Sequence, residues 1–485
     1  MVKNEKKAKK EKIKRVKPQV LKGFRDYPPE EEIARLELLK KTREVYERYG
    51  YLPLQTASLE FAETLLGPHY TDDNLKELFG FPGPDEVDMA LRYEFTVSLA
   101  RYVAGNPHLP LPFRRYQMGN VWRVDKPGPG RFREFMQCDF DIVGAASMLA
   151  DAEIIAVMVE TLEHLGIRNF VVRYSNRKLI NGLTSFAGIP EEKATDVFRV
   201  IDKLEKQGKD AVILELGPGR IDKSGDKIPG LHLTGKQIDL LTTFLDLALK
   251  EGNDTLADVE DLLGEIDVSM EGIKELREIG GYLKEMRTPE NKAKIDITIV
   301  RGLGYYTGPV YETTLIDLPD YGSIFSGGRY DNLVSRFSSQ RIPATGSSFG
   351  VDRMLAALIA LKAIETRKST ADVIVTTMDK TRISDYIDII SEIRKAGIKA
   401  ELFMGETRNI NKQLKYADKI EIPLAVIVGS DEFESGTITV KDLRAGREKS
   451  KEVSDREEWL KADQIQATIK REELLPHLNK LLKKE

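Results

Sequence analysis

The sequence predicts an α+β protein: a sheet core built on a long hairpin, a mostly helical insertion, and a C-terminal α/β layer domain. Three observations predict it. Residues 113–144 alternate apolar and polar side chains on both sides of a Pro/Gly loop, as the strands of a hairpin do. From about Thr184 to Glu290 the pattern becomes helical and charged, as in PEEKATDVFRVIDKLEKQG and MEGIKELREIGGYLKEM. Beyond a linker near Thr366–Thr370, strand-like and helix-like runs alternate, which predicts an α/β layer with a largely parallel sheet.

Composition narrows the function. A chain of 485 residues has room for roughly two to four domains. The net charge of −4 excludes a uniformly basic nucleic-acid binder, so RNA contact must come from local patches. Cys138 is the one cysteine, which excludes an internal disulfide and fits a reducing, cytoplasmic compartment. The histidines (His69, His108, His164, His232, His477) lack metal-ligand spacing, so no zinc is expected. No apolar run has the length of a membrane span, and no membrane partner is expected. Residues 1–18 are dense in lysine without an apolar stretch, which predicts a disordered, solubilising tail or an electrostatic arm for RNA.

The elements follow in order. Glu30 to Gly50 has apolar residues at helical spacing, and YLPLQTASLEF reads as a strand and turn. Met89 to Ala104 opens as a strand and closes as a helix. Glu94 and Thr96 share parity there, and a carboxylate beside a hydroxyl suits an α-ammonium group. In the hairpin, the odd positions Arg131, Arg133, Phe135, Gln137, Asp139 and Asp141 share one face. Phe132, Glu134, Met136, Cys138, Phe140 and Ile142 share the other, which suits a core. The strand before the loop adds Arg123 and Asp125 on one face. Guanidiniums fork onto phosphate oxygens, a Phe covers a base, and carboxylates with an amide suit an ammonium and a polar side chain. A solvated face with salt bridges is the plain alternative, but arginines first and acids last favour a site.

Ala150–Leu165 reads as a helix and FVVRYSN as a strand. After the helical insertion, IDITIVRGLGYYTGPVYETTLI returns to sheet-like sequence. Plain alternation sends Arg301 and Tyr306 to opposite faces, while Gly302, Gly304 and Gly308 allow a kink that turns both toward one site. SGGRYDNLVSRF reads as a Gly-Gly turn into a helix. ATGSSFGVDRMLAALIAL reads as a strand feeding a helix with Arg353 in its first turn, a favourable place for phosphates. The terminal stretch gives DVIVTT, AELFM, LAVIVG and TITVKDL as strands between helices, then the amphipathic helix REELLPHLNKLLKK.

FRRYQMGNVWRVDKPGPGRFREFMQCDFDIVG resembles motif 2 of class II aminoacyl-tRNA synthetases, and QCDFDI brings it nearest to histidyl-tRNA synthetases. LRYEFT, RGLGYYTGPVYE, GGRYDNL and the stretch around Arg353 resemble further motifs of that family, in the same order. Two departures stand out: Ala57 where the family's motif 1 strand ends in proline, and Gly304 where aspartate is common. The resemblance implies a class II antiparallel-sheet catalytic core over residues 19–183 and 291–365. It also implies an insertion domain over 184–290, near the tRNA acceptor arm, and an anticodon-binding domain over 371–485. It implies a homodimer that activates L-histidine with ATP and Mg2+ and charges tRNA(His). Arg123 and Arg301 would act on the α-phosphate. Asp125, Arg131, Phe135 and Arg353 would complete the ATP site, with Phe135 and Arg353 around the adenine. Glu94, Thr96 and Gln137 would hold the α-ammonium. Asp141 and Tyr306 would read the imidazole, an acceptor on one side and a donor on the other, beside Arg301. The rival is a silent paralogue with a regulatory or tRNA-sensing role.

Overall fold

A computed structural model describes residues 16–69, 76–84, 86–128, 131–201, 203–222, 225–249, 255–263, 266–299, 305–444 and 466–483. The predicted lysine-rich tail lies outside the described residues as far as residue 15. The chain forms two compact units: residues 1–26, 45–163 and 168–356, and residues 27–44, 164–167 and 357–485.

An eight-stranded sheet is the frame of the first unit. Its strands are β1 Leu52–Pro53, β2 Phe113–Trp122, β3 Glu134–Val143, β4 Phe170–Asn176, β5 Ala293–Ile295, β6 Pro309–Leu315, β7 Ser323–Arg329 and β8 Ala344–Gly350. Their order is β1-β2-β3-β8-β7-β6-β4-β5. The interior, from β2 to β4, is antiparallel throughout. Only the edge strands β1 and β5 pair in parallel.

The alternation of β3 decides which face is core. Cys138, Phe140 and Ile142 are buried on one side. There Phe140 meets Tyr46, with ring centroids 4.7 Å apart, and the edge of Phe325. Burying each such side chain contributes roughly 1.5–3 kcal/mol. The odd residues of β3 face the other side, which carries the cleft.

The GGRYD stretch differs from its expectation. Gly327 and Gly328 belong to β7 rather than to a turn, and only a short 3-10 turn, Val334–Arg336, follows. A Cβ on Gly327 would lie 2.2 Å from the Gly346 carbonyl oxygen, and one on Gly328 would lie 2.8 Å from that of Pro309. The glycines therefore serve close strand approach. Arg329 ends β7 buried, paired with Asp151 and donating from Nη1 to the Ala145 carbonyl at 3.0 Å. The Tyr311 hydroxyl also donates to Asp151 and lies 2.8 Å from Thr345 Oγ1.

Gly346 on β8 is the tightest point beneath the cleft. A Cβ there would lie 2.0 Å from Asp141 Oδ1 and 2.7 Å from the Phe140 carbonyl oxygen. Gly346→Ala is expected to cost about 1–3 kcal/mol in urea unfolding, as overpacking does. Gly281→Ala is the control. That glycine lies in the helix Asp267–Glu285 with nothing within 4 Å of an added Cβ. It is expected to gain about 0.5–1 kcal/mol.

The charged stretch is helical, as expected, within the first unit. Its last helix, Asp267–Glu285, is tied to the end of β4 and the helix Arg177–Phe186. Glu275 accepts from Asn176 Nδ2 and from Lys178 Nζ, each at 2.6 Å.

The second unit carries a five-stranded sheet: β9 Val373–Val375, β10 Ala400–Leu402, β11 Leu424–Ile427, β12 Thr437–Asp442 and β13 Gln466–Lys470, in the order β10-β9-β11-β12-β13. The expected largely parallel sheet is corrected to a mixed one. The first three strands pair in parallel, and β12 and β13 add in antiparallel fashion. Strand β13 is an element beyond the expected ones, and it lies just before the final helix, which the sequence expects to start at Arg471. That helix begins at Leu474, and Leu474 and Leu478 join Tyr386, Ile389 and Ile393 in the core.

Candidate active site

Strand register lays the polar face out in rows. Arg115 on β2 stands beside Asp141 on β3, then Gly346 on β8 and Gly328 on β7. The next row is Gln117, Asp139, Ser348 and Ser326, and the one after pairs Gly119, Gln137 and Gly350. Above this floor lies a cleft of about 460 Å³. Glu94, Thr96, Arg123, Asp125, Arg131, Phe135, Gln137, Tyr306 and Arg353 all line it. Segments far apart in sequence thus meet in one place.

One end is cationic. Arg123 donates from Nε to the Tyr93 carbonyl at 3.0 Å and sits 5.2 Å from the centre of the Phe135 ring. Arg131 pairs with Asp125 at 2.7 Å in an exposed bridge, a kind worth little in water and easily traded for an anion. Arg353, three residues into the helix Val351–Ala360, donates to the Ser323 carbonyl at 2.7 Å. Burial lowers its pKa, and so does the neighbouring Arg131. Guanidiniums held near one another in this way fit a polyanion.

The other end is acidic and aromatic. Glu94 accepts from the backbone N–H groups of Thr96, at 2.9 Å, and Val97, at 2.7 Å, at the start of the helix Thr96–Ala104. Its carboxylate therefore caps a helix as well as facing the cleft. The Tyr305 hydroxyl donates to Glu94 Oε2 at 3.1 Å. Gln137 Nε2 donates to Ser348 Oγ at 3.0 Å, and Ser348 donates to Asp139. Gln137 Oε1 is buried with no hydrogen-bond partner among the described residues. Burial pushes the Asp139 carboxyl up to about 7, against the opposing pull of Arg115. Burial, then Glu94, raises the Tyr306 pKa, so its hydroxyl remains a proton donor at neutral pH.

Two expectations need separate treatment. Arg301, with Gly302 and Gly304, lies outside the described residues. Asp141 lies on the expected face of β3, one row from Asp139, and is buried rather than among the residues that line the cleft. It is engaged there because Arg115 Nη2 lies 2.7 Å from its Oδ2 and the Tyr330 hydroxyl donates to Oδ1. Tyr306 does face the same side: its Cδ1 would lie 3.1 Å from a Cβ on Gly328, the neighbour of Gly346. Sequence reasoning left Asp139 without a role and passed over Tyr305, Ser326 and Ser348, all of which line the cleft. The parity of Asp139 with Gln137 was the available signal.

Comparison with known proteins agrees with this geometry. The family model described as Histidyl-tRNA synthetase matches residues 23–354, and the anticodon binding domain model matches residues 372–463. A curated "Histidine--tRNA ligase" of Paracoccus denitrificans is 43% identical over 488 residues, covering 96% of this chain and 98% of that protein. The crystal structure of histidyl-tRNA synthetase from Nostoc sp. PCC 7120 superposes with TM-score 0.79 at 31% identity, covering 96% of this chain and 100% of that one. A Bacillus halodurans structure titled "ATP phosphoribosyltransferase regulatory subunit/histidyl-tRNA synthetase" has TM-score 0.66 at 23% identity, which shows a shared fold alone; it covers 83% of this chain and 96% of its own. An antiparallel sheet under such a cleft, with a separate anticodon-binding domain, defines a class II aminoacyl-tRNA synthetase. The chain belongs to the histidyl-tRNA synthetase family.

Proposed function

We propose that this protein is a histidine–tRNA ligase that forms histidyl-adenylate from L-histidine and ATP and then charges tRNA(His). The carrying observation is a single cleft with guanidiniums at one end and carboxylates, an amide and tyrosines at the other. A triphosphate suits the first end and an amino acid the second. ATP enters as its Mg2+ complex, as a substrate. Among the described residues no group of His, Cys, Asp and Glu is arranged to hold a resident ion.

In the first step a carboxylate oxygen of histidine attacks the α-phosphorus, and the bond to the bridging oxygen breaks to release pyrophosphate. Positioning and charge neutralisation supply most of the rate in such displacements. Arg123 holds the α-phosphate, with Arg301 beside it, and Arg131 and Arg353 meet the outer phosphates. Asp125 keeps Arg131 in place until ATP arrives, and Phe135 stacks on the adenine opposite Arg353. The buried, unpartnered Gln137 Oε1 gains a donor from the α-ammonium, which Glu94 and Thr96 also hold. Asp141 accepts the imidazole N–H and Tyr306 donates to the bare nitrogen. A side chain without that donor–acceptor pair leaves both groups unmatched, worth roughly 10⁴-fold in discrimination. In the second step the terminal ribose hydroxyl of the tRNA attacks the acyl carbon, and AMP leaves.

The rest of the reading concerns partners. Residues 184–290 approach the acceptor arm and residues 371–485 read the anticodon. Two chains pair through the motif 1 region, where Leu52, Leu59 and Phe61 are exposed apolar residues. The protein works in the cytoplasm. Among the described residues no helix is long and apolar enough to cross a membrane.

ATP–pyrophosphate exchange is the deciding assay. Exchange that requires histidine, followed by charging of tRNA(His) transcripts, is the expected result. Absence of exchange in folded protein would replace this reading with a regulatory or tRNA-sensing role.

A further inference from the structure

Arg115 is a charged side chain that the mechanism above does not use. It is fully buried, yet it projects from the face of β2 that carries Gln117 and, farther along, Arg123. Its Nη2 lies 2.7 Å from Asp141 Oδ2. None of its three nitrogens makes a well-directed hydrogen bond to a described residue, and neither does Asp141 Oδ2. The contact is therefore a buried charge pair rather than a bonded fork. Such a pair is a weak source of stability, because desolvating both ions offsets their attraction. A buried ion pair under a binding cleft invites a functional account.

Its surroundings supply one. Asp139 and Asp141 stand two residues apart on β3, with Glu94 among the charges acting on both. Tyr306 and Tyr330 feel the Asp141 charge too, and Tyr305 feels that of Glu94. Behind the strand, Tyr46 and Tyr51 add no positive charge. Burial, the largest influence, raises the pKa of both β3 carboxylates, and Arg115 is the cation among the described groups that opposes this. Gly346 leaves the space into which the Asp141 carboxylate leans, and Arg115 meets it from the opposite strand.

We propose that Arg115 is a positioning residue for histidine recognition: it holds the Asp141 carboxylate in place and fixes its direction, so that this group accepts the imidazole N–H. Arg115 touches neither substrate and acts through Asp141. The inference rests on the reading of Asp141 given above.

The test combines pyrophosphate exchange with equilibrium binding of L-histidine, which needs no catalysis. Arg115→Leu is expected to weaken histidine, in both Kd and KM, by at least about tenfold, as removing one buried ionic partner does. KM for ATP should stay within about twofold, a split that a general loosening of the sheet would not produce. In the background of Asp141→Asn, the same substitution should cost little more, because the two residues act as a unit. Should Arg115→Leu fail to fold, Arg115→Gln carries the same cycle. Arg115→Lys, which keeps the charge, should restore part of the affinity. Additive losses in the cycle, equal losses for ATP and histidine, or unchanged histidine affinity in a parent that binds it would each overturn the role of Arg115 alone. A parent that neither binds histidine nor exchanges would overturn this role and the proposed function together.

Discussion

Arg123→Ala is expected to lower kcat/KM for ATP in histidine-dependent pyrophosphate exchange by roughly 10²–10³-fold, the usual cost of losing one preorganised transition-state donor. The argument starts from how the side chain is held. Arg123 follows the last residue of β2, and its Nε is committed to the Tyr93 carbonyl. The Phe135 ring lies beside the guanidinium. The group is therefore oriented before ATP arrives, and the Nη pair is the part that remains for an anion. Charge that develops on the α-phosphate then meets a donor that need not reorganise. Arg131→Ala should cost less, because its side chain is exposed and bridged to Asp125 in water. Exchange rates within about threefold of the parent for Arg123→Ala would remove it from the chemistry, as would equal losses for the two variants.

Much of this site's layout is legible in the strand alternation. Period-two alternation marks the hairpin because one face of β3 is buried and the other lines a cleft, so each side chain's parity has a consequence. That is why Gln137 and Phe135 fall where expected. Tyr306, which plain alternation sends to the face opposite Arg301, also lines the cleft. Other features depend on contacts that sequence does not display. Two adjacent glycines look the same in sequence whether they make a turn or let β7 approach β8, so GGRYD carries no sign of which it does. A strand of five residues such as Gln466–Lys470, next to an amphipathic run, carries too little periodicity to separate. Nothing in the run FRRYQ marks Arg115 as a buried charge. Arg115 is fully buried beside Asp141 of the neighbouring strand β3, which is a tertiary effect.

Asp139 gives the second large effect, through pH. Its carboxyl is pushed up to about 7, first by burial and then by the nearby Asp141 and Glu94, against Arg115 and the hydrogen bond from Ser348. The folded pKa thus exceeds the unfolded value of about 3.9. At pH below about 4 both states hold the proton, and the group costs nothing. As pH rises toward 7 the unfolded chain ionises while the folded one does not, so the contribution of this group to stability falls and then levels off above about 7. Three pH units of this kind amount to a few kcal/mol at most. Urea midpoints measured from pH 4 to 8 should therefore show the parent losing stability relative to Asp139→Asn, with the change ending near neutrality. A difference between the two proteins that is flat with pH would mean that Asp139 ionises normally. Histidine adds a second readout. Asp139 lines the cleft and is linked to Gln137 through Ser348, so a bound α-ammonium favours its ionised form and L-histidine should bind the parent more tightly as pH rises through about 7. Histidine's own imidazole, titrating near 6.5, contributes a rise of the same sign. In Asp139→Asn the part of the rise that belongs to Asp139 should be lost, leaving the contributions of the imidazole and of Asp141, whose pKa burial also raises, and the midpoint of the affinity profile should shift. An unchanged midpoint would show that Asp139 takes no part in the pH dependence of histidine binding.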